Sequence, residues 1–231
     1  MKKTNITKQL LANKIKELEI KGVYKLNVSR KNKKLVPNKK TGFIIWNLPS
    51  IITCPYATEH CKKFCYAKKA EIAYPDCLPS RKRNFQESIK SEFVDNMLYT
   101  ILSIAKGTRK EEIIVRIHES GDFYNKKYAM AWLKIMEECS IDSRIKFIAY
   151  TKSFPYFDGV KLPSNFSLRA SVWDDTKKEH LEMIERNHWN IYTAIEEFTE
   201  EDTFEHCECK DCATCGKCWD NKKHDIRCEI H

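Results

Sequence analysis

Ile113-Ile114-Val115-Arg116-Ile117-His118-Glu119-Ser120-Gly121-Asp122-Phe123-Tyr124 decides the fold. Five residues dominated by β-branched side chains read as a buried strand, and the polar run that follows, with its glycine, reads as a strand-end loop. Lys126 to Cys139 then has helical spacing, and Ile145 to Tyr150 is again strand-like. Strand, helix and strand in that order imply parallel pairing through a right-handed crossover.

The same alternation extends in both directions. Upstream, Phe43 to Trp46 reads as a strand, and Ser80 to Lys106 reads as one long helix with Phe85, Ile89, Phe93, Met97 and Ile101 on one face and Gly107 as its stop. Downstream, after a loop containing Pro155 and Pro163, Phe166 to Val172 reads as a strand, Thr176 to Asn187 as a helix and Trp189 to Ile195 as a strand. About five strands are too few for a closed eight-stranded barrel. The expected class is α/β, a partial (β/α) barrel or an open parallel sheet. A cysteine-rich loop follows its first strand, and a cysteine-rich metal-binding extension ends the chain. The expected organisation is a basic helix and loop over 1–40, an α/β core over 41–200 and a metal-binding segment over 201–231.

Charge is unevenly spread. Of the net +9 of this 231-residue chain, residues 1–40 contribute +11 from 13 Lys/Arg and two acidic residues, leaving −2 on the other 191. Ile6, Leu10, Leu11, Ile15 and Leu18 give this region the pattern of an amphipathic helix, with lysines between them. Its charge suits either a nucleic-acid contact through phosphates or a solvated helix face. No apolar run approaches a membrane span and no secretory leader pattern is present, so a cytoplasmic setting without membrane contact is expected.

The 11 cysteines bunch at short spacings, which points to metal rather than disulfides in such a setting. Cys54, Cys61 and Cys65 form C-x6-C-x3-C in the loop after the first strand. Three thiolates on a [4Fe–4S] cluster leave one iron open, and a fourth from Cys77 closes it. Zinc competes, because His60 beside these thiols makes a Cys3His set. Near the C-terminus the expected ligands of a second centre are Cys209, Cys212, Cys215 and Cys218, with Cys207 and Cys228 as alternatives or neighbours. Gly216 supplies the tight turn. Cys139 stands alone in a helix and reads as core.

The polar candidates sit at strand ends, where α/β folds build their sites. His118, Ser120 and Asp122 with Lys152 are candidate catalytic groups. Gly121, Tyr150, Arg169 and Ser171 are candidates for holding a cofactor. Asp122 or Asn125 is the expected cap of the helix from Lys126, and Thr193 and Glu196 complete the strand-end set.

These residues carry a resemblance. Leu48-Pro49 before Thr53-Cys54-Pro55, Cys61 and Cys65-Tyr66-Ala67, Arg83-Asn84, Arg116-Ile117-His118 with Ser120-Gly121-Asp122-Phe123, Tyr150-Thr151-Lys152-Ser153 and Cys212-x2-Cys215-Gly216-x-Cys218 resemble the phage and plasmid "gene product 88" family from about Lys34 to His231. That resemblance implies a mobile-element context. In architecture the chain is also similar to radical S-adenosylmethionine enzymes, whose three-cysteine loop follows the first strand of a partial barrel. There Ser120-Gly121-Asp122 would match the motif that contacts the methionine amino group, and the C-terminal cysteines an auxiliary cluster. The loop spacing departs from the usual C-x3-C-x2-C. The expected cofactors are one or two [4Fe–4S] clusters and S-adenosylmethionine, with zinc as the alternative metal. The competing function is a metal-stabilised nucleic-acid-binding protein of mobile-element DNA metabolism. The substrate, small molecule or macromolecule, is not legible.

Overall fold

A computed structural model describes residues 2–195, 204–207, 211–220 and 222–229. Seven strands form one sheet in the order β1 (Thr41–Trp46), β2 (Glu112–Ile117), β3 (Ile145–Thr151), β4 (Phe166–Val172), β5 (Asn190–Ile195), β7 (Ile226–Glu229) and β6 (Glu205–His206). Every pairing within it is parallel, as the strand and helix alternation requires. The sheet is an open half-barrel. Two strands exceed the expected five, because β6 and β7 lie in the cysteine-rich segment, where charged and sulfur-bearing residues hide the usual apolar pattern.

The helices are α1 (Lys2–Ile20), α2 (Glu59–Lys63), α3 (Tyr66–Ala73), α4 (Cys77–Ser88), α5 (Phe93–Lys106), α6 (Lys126–Cys139), α7 (Lys178–Arg186) and α8 (Cys212–Cys215). The stretch expected as one helix over Ser80 to Lys106 is two. Tyr124 lies within hydrogen-bond reach of the Ser88 hydroxyl and donates to the Ser88 carbonyl, satisfying an end-of-helix acceptor. Ile89, which continues the apolar stripe in sequence, is solvent-exposed. The bend lets α4 follow the cysteine loop while α5 packs under the sheet. Asn125 caps α6 by accepting from the Tyr128 amide at 2.8 Å, and Gly107 caps α5. Among the described residues no helix is long and apolar enough to cross a membrane.

Alternation along the strands divides the apolar residues between two faces. Ile44, Trp46, Ile113, Val115, Ile117, Phe147 and Ala149 face a large core shared with α1, α5 and α6. Leu11, Ile15 and Leu18 bury the inner face of α1 there, while Lys14 reaches Glu138 at 2.9 Å and Lys21 reaches Asp95 at 3.1 Å. Phe43, Ile45, Ile114 and Ile148 face the concave side, where Trp219 and Leu35 cover them.

At the carboxyl ends of the strands, the loops after β1 and β2 are laced together. The Leu48 amide donates to Ser120 O at 2.9 Å, Ser120 Oγ donates to Leu48 O at 2.9 Å, and Asn47 Oδ1 accepts from the amides of Glu119 and Ser120. This approach is close enough to require Gly121. Its φ is +79°, and a Cβ there would stand 2.6 Å from Thr53 Oγ1 and 2.7 Å from Leu48 Cβ. His118 also has positive φ (60°), uncommon for a non-glycine residue. Its ring is buried against Phe123, and its Nε2 lies 3.0 Å from the Tyr128 hydroxyl, which in turn accepts from Trp46 Nε1 at 3.1 Å.

Two expectations follow. Gly121→Ala loses at least the ~1–2 kcal/mol of a left-handed residue, plus the overlap with Thr53 and Leu48, and thermal denaturation should show a lower Tm. Burial, with the nearby Arg116 charge adding to it, holds the His118 pKa down to about 3, against 6.5 for a free imidazole. Between those values the unfolded chain takes up a proton that the folded chain refuses, so stability falls as pH drops from 6.5 toward 3. From pH 6.5 to 5 this group accounts for about 2 kcal/mol. Urea denaturation at pH 7.5 and 5.0 should show the wild type losing more stability than His118→Phe.

Candidate functional site

The loop after β1 is shaped before it reaches its first thiol. Ile51 takes φ 63°, a backbone state that β-branched residues avoid, and its carbonyl accepts from the Cys54 amide at 3.0 Å. Thr58 caps α2 by accepting from the Cys61 amide, and Cys65 occupies the cap position of α3. Behind the loop, Glu71 accepts from both the amide and the hydroxyl of Ser50. It also pairs with Arg81 at 2.8 Å, and Arg81 donates to Ala67 O at 2.9 Å. The backbone entering and leaving the cysteine loop is thus tied to one largely buried ion pair.

This loop forms one wall of a cavity of about 440 Å³ on the concave side of the sheet. Cys54, Cys61 and Cys65 line it, together with His118, Ser120, Gly121 and Asp122 from the end of β2. Tyr150 and Lys152 enter from β3 and Ser171 from β4. Lys152 points its Nζ to Ser171 Oγ at 2.7 Å, lies 5.7 Å from the Trp173 ring centre and lines the cavity with Cys61. Burial lowers the Lys152 pKa, while the Cys61 and Asp122 charges oppose that fall. Burial pushes the Cys54 and Cys61 thiols up. Asp122 raises both further, whereas Lys152 draws Cys61 back down.

Asp122 is committed to its surroundings. One oxygen accepts from the Phe123 amide and the Thr151 hydroxyl, the other from the amides of Lys152 (2.9 Å) and Ser153 (3.2 Å). Ser120 is likewise spent on the β1 loop. Of the two residues expected as a helix cap, Asn125 takes that role and Asp122 instead joins β2 to β3.

The opposite wall carries Cys207, Cys212, Cys215, Cys218 and Cys228. Thus the two cysteine groups, more than 140 positions apart in sequence, face one chamber. Arg169 lies outside the chamber wall. Its guanidinium donates to the backbone carbonyls of Lys217, Cys218 and His224, so it clamps the cysteine-rich segment rather than facing a ligand. Cys77 also lies outside the wall, at the start of α4. Cys209 and Glu196 fall outside the described residues.

Several wall residues escaped the sequence reading. Arg116 stacks its guanidinium 3.7 Å from the Tyr150 ring centre, and Tyr192 meets the same ring edge-on at 4.5 Å. Phe64 stacks on Trp173 with 7° between ring planes. Arg116 sits two positions before His118, as the expected Tyr150 does before Lys152, so counting back by two from the end of β2 would have reached it.

Comparison with known proteins yields a consistent picture. The family model described as "Gene product 88" matches residues 25–229, which takes in the whole sheet. The "Gene 88 protein" of Mycobacterium phage D29 is 31% identical over 133 residues, covering 53% of each chain. That of Mycobacterium phage L5 is 28% identical over 105 residues, 43% of each. The chain therefore spans about half the length of the curated relatives it matches. No solved structure matches. With a family model covering nearly the full chain and both cysteine groups within it, the chain belongs to the gene product 88 family.

Proposed function

We propose that the chain is an iron–sulfur enzyme whose reactive centre is a [4Fe–4S] cluster on Cys54, Cys61 and Cys65, with one iron open to the cavity. The observation that carries this reading is the position of the thiols: all three line the cavity at the strand ends, and Cys77 does not. Three thiolates suit a cubane with one open iron.

The surroundings fit such a group. Lys152 offers a buried positive charge against Cys61, and a thiolate-bound cluster offers the negative charge that a buried ammonium needs. Phe64 and Trp173 exclude water on one side. Zinc fits less well. Its ~2.3 Å bonds in a tetrahedron hold ligand atoms about 3.8 Å apart. Among the described residues no three cysteine sulfurs lie within 4.8 Å of one another.

A bound cluster supplies one-electron chemistry, and the protein supplies position and dielectric. Asp122 fixes the β2 and β3 ends, Lys152 balances charge, and the chamber between the two cysteine walls receives the substrate. S-adenosylmethionine is the first ligand to test at the open iron. Because Ser120 and Asp122 are occupied in holding loops, its amino group would be met by other atoms of this wall.

Anaerobic purification should give a brown protein in which Ala at Cys54, Cys61 or Cys65 removes about four irons, whereas Cys77→Ala keeps them. The electron-spin signal of the reduced protein should change on adding S-adenosylmethionine. A colourless protein with stoichiometric zinc sinks the proposal, and an unchanged signal removes S-adenosylmethionine from it. Lys152→Met should lower the midpoint potential, since a nearby cation favours the more negative, reduced cluster.

A further inference from the structure

We propose a second iron–sulfur site on the opposite wall of the cavity, with Cys207, Cys212, Cys218 and Cys228 as its ligands in place of the consecutive C-x2-C run. Tertiary structure collects these four from separate places. Cys207 follows β6, Cys212 opens α8, Cys218 follows the Gly216 turn (φ 68°), and Cys228 lies in β7. His206 pairs with Arg227 across the β6–β7 ladder, and the Cys207 amide donates to Arg227 O at 2.6 Å, so Cys207 and Cys228 come together at the edge of the sheet. Arg169 holds the Cys218 end of the segment, and Lys34 O accepts from the Cys212 amide at 3.3 Å. All four thiols line the same cavity.

Two further features point to a ligand at these sulfurs. The first is a pair of phenols. Tyr192 donates to Cys228 Sγ at 2.8 Å, and Tyr150 packs with Cys218 on the Trp219 cluster along the cavity. Hydroxyl donors of this kind orient and stabilise ligating thiolates. The second is Arg116. Its Nη1 is buried with no hydrogen-bond partner among the described residues, no carboxylate there pairs with it, and its guanidinium rests on the Tyr150 ring. A charged group so placed needs a counter-charge. It lines the cavity together with Cys212 and Cys218. Four thiolates on a cubane carry a net negative charge and answer that need. Cys215 lines the cavity as well, but Cys212 and Cys218, and not Cys215, pack against the Trp219 cluster beside Tyr150, which separates this assignment from the sequence pattern.

The site is testable independently of the first one. The full-length Cys54→Ala, Cys61→Ala, Cys65→Ala variant, incubated anaerobically with ferrous iron and sulfide, should take up about four irons and turn brown. In that background Cys207→Ser or Cys228→Ser should lose most of the iron, while Cys215→Ser should retain it. Iron lost with Cys215→Ser but kept with Cys207→Ser and Cys228→Ser overturns the ligand set. A background variant that binds no iron, or zinc alone, overturns the cluster. Tyr192→Phe, which keeps every ligand, should hold full iron with a shifted midpoint potential, and an unshifted potential contradicts the Tyr192 contact with a cluster sulfur.

Discussion

One carboxylate holds the working end of this protein together. Asp122, 5% exposed at the end of β2, accepts hydrogen bonds from its own loop and from three successive residues at the end of β3. A buried carboxylate is costly unless its lone pairs are filled, and here four donors and the nearby Lys152 charge offset that cost. The bonds to the Lys152 and Ser153 amides fix the course of the chain just where Lys152 turns into the cavity. One residue earlier, Gly121 lets the β1 loop lie directly on this joint, so the cysteine loop inherits its position from the same interaction.

The second constraint is the open sheet. A parallel sheet buries both faces, and its βα crossovers place helices on one of them when the sheet curves into half a barrel. The concave face must be covered by something else. Here the C-terminal segment enters it, with Trp219 packed edge-on against Phe43 at 6.0 Å above Ile45, Ile114 and Ile148. Covering the apolar floor in this way leaves the polar upper part of the concave face as a chamber. It also brings the second group of cysteines opposite the first, making the same burial responsible for stability and for the site.

Burial works against charge throughout the chamber. Its thiols are pushed toward the neutral form by burial, its lysine is pushed toward the neutral amine, and Arg116 lacks a carboxylate among the described residues. The metal proposed above would change all three at once, because ligation requires thiolates and the resulting negative charge would support both cations. Backbone strain is present at the same place, with Ile51 before Cys54 and His118 at the end of β2 in left-handed conformations. Strain of this kind persists only where surrounding contacts over-determine it.

By itself the sequence determined the class and much of the order of elements. The β-branched runs at Ile113 to Ile117 and Phe166 to Val172 and the helical spacing from Lys126 to Cys139 are strong local signals, and the alternation between them leaves parallel pairing as the economical topology. It also marked the strand-end residues, most of which reach the cavity. Tertiary structure decided the rest. The pattern Phe85, Ile89, Phe93 cannot reveal a bend capped by Tyr124, because the capping group lies 36 positions from Ser88. Nothing local distinguishes Arg169, which clamps three carbonyls of the C-terminal segment, from Arg116, which faces the chamber. Short spacing groups Cys209 to Cys218 in the sequence, whereas Cys207 comes beside Cys228 only through the pairing of β6 with β7. Ligand spheres and buried charges are satisfied in three dimensions, and distance along the chain does not record who satisfies whom.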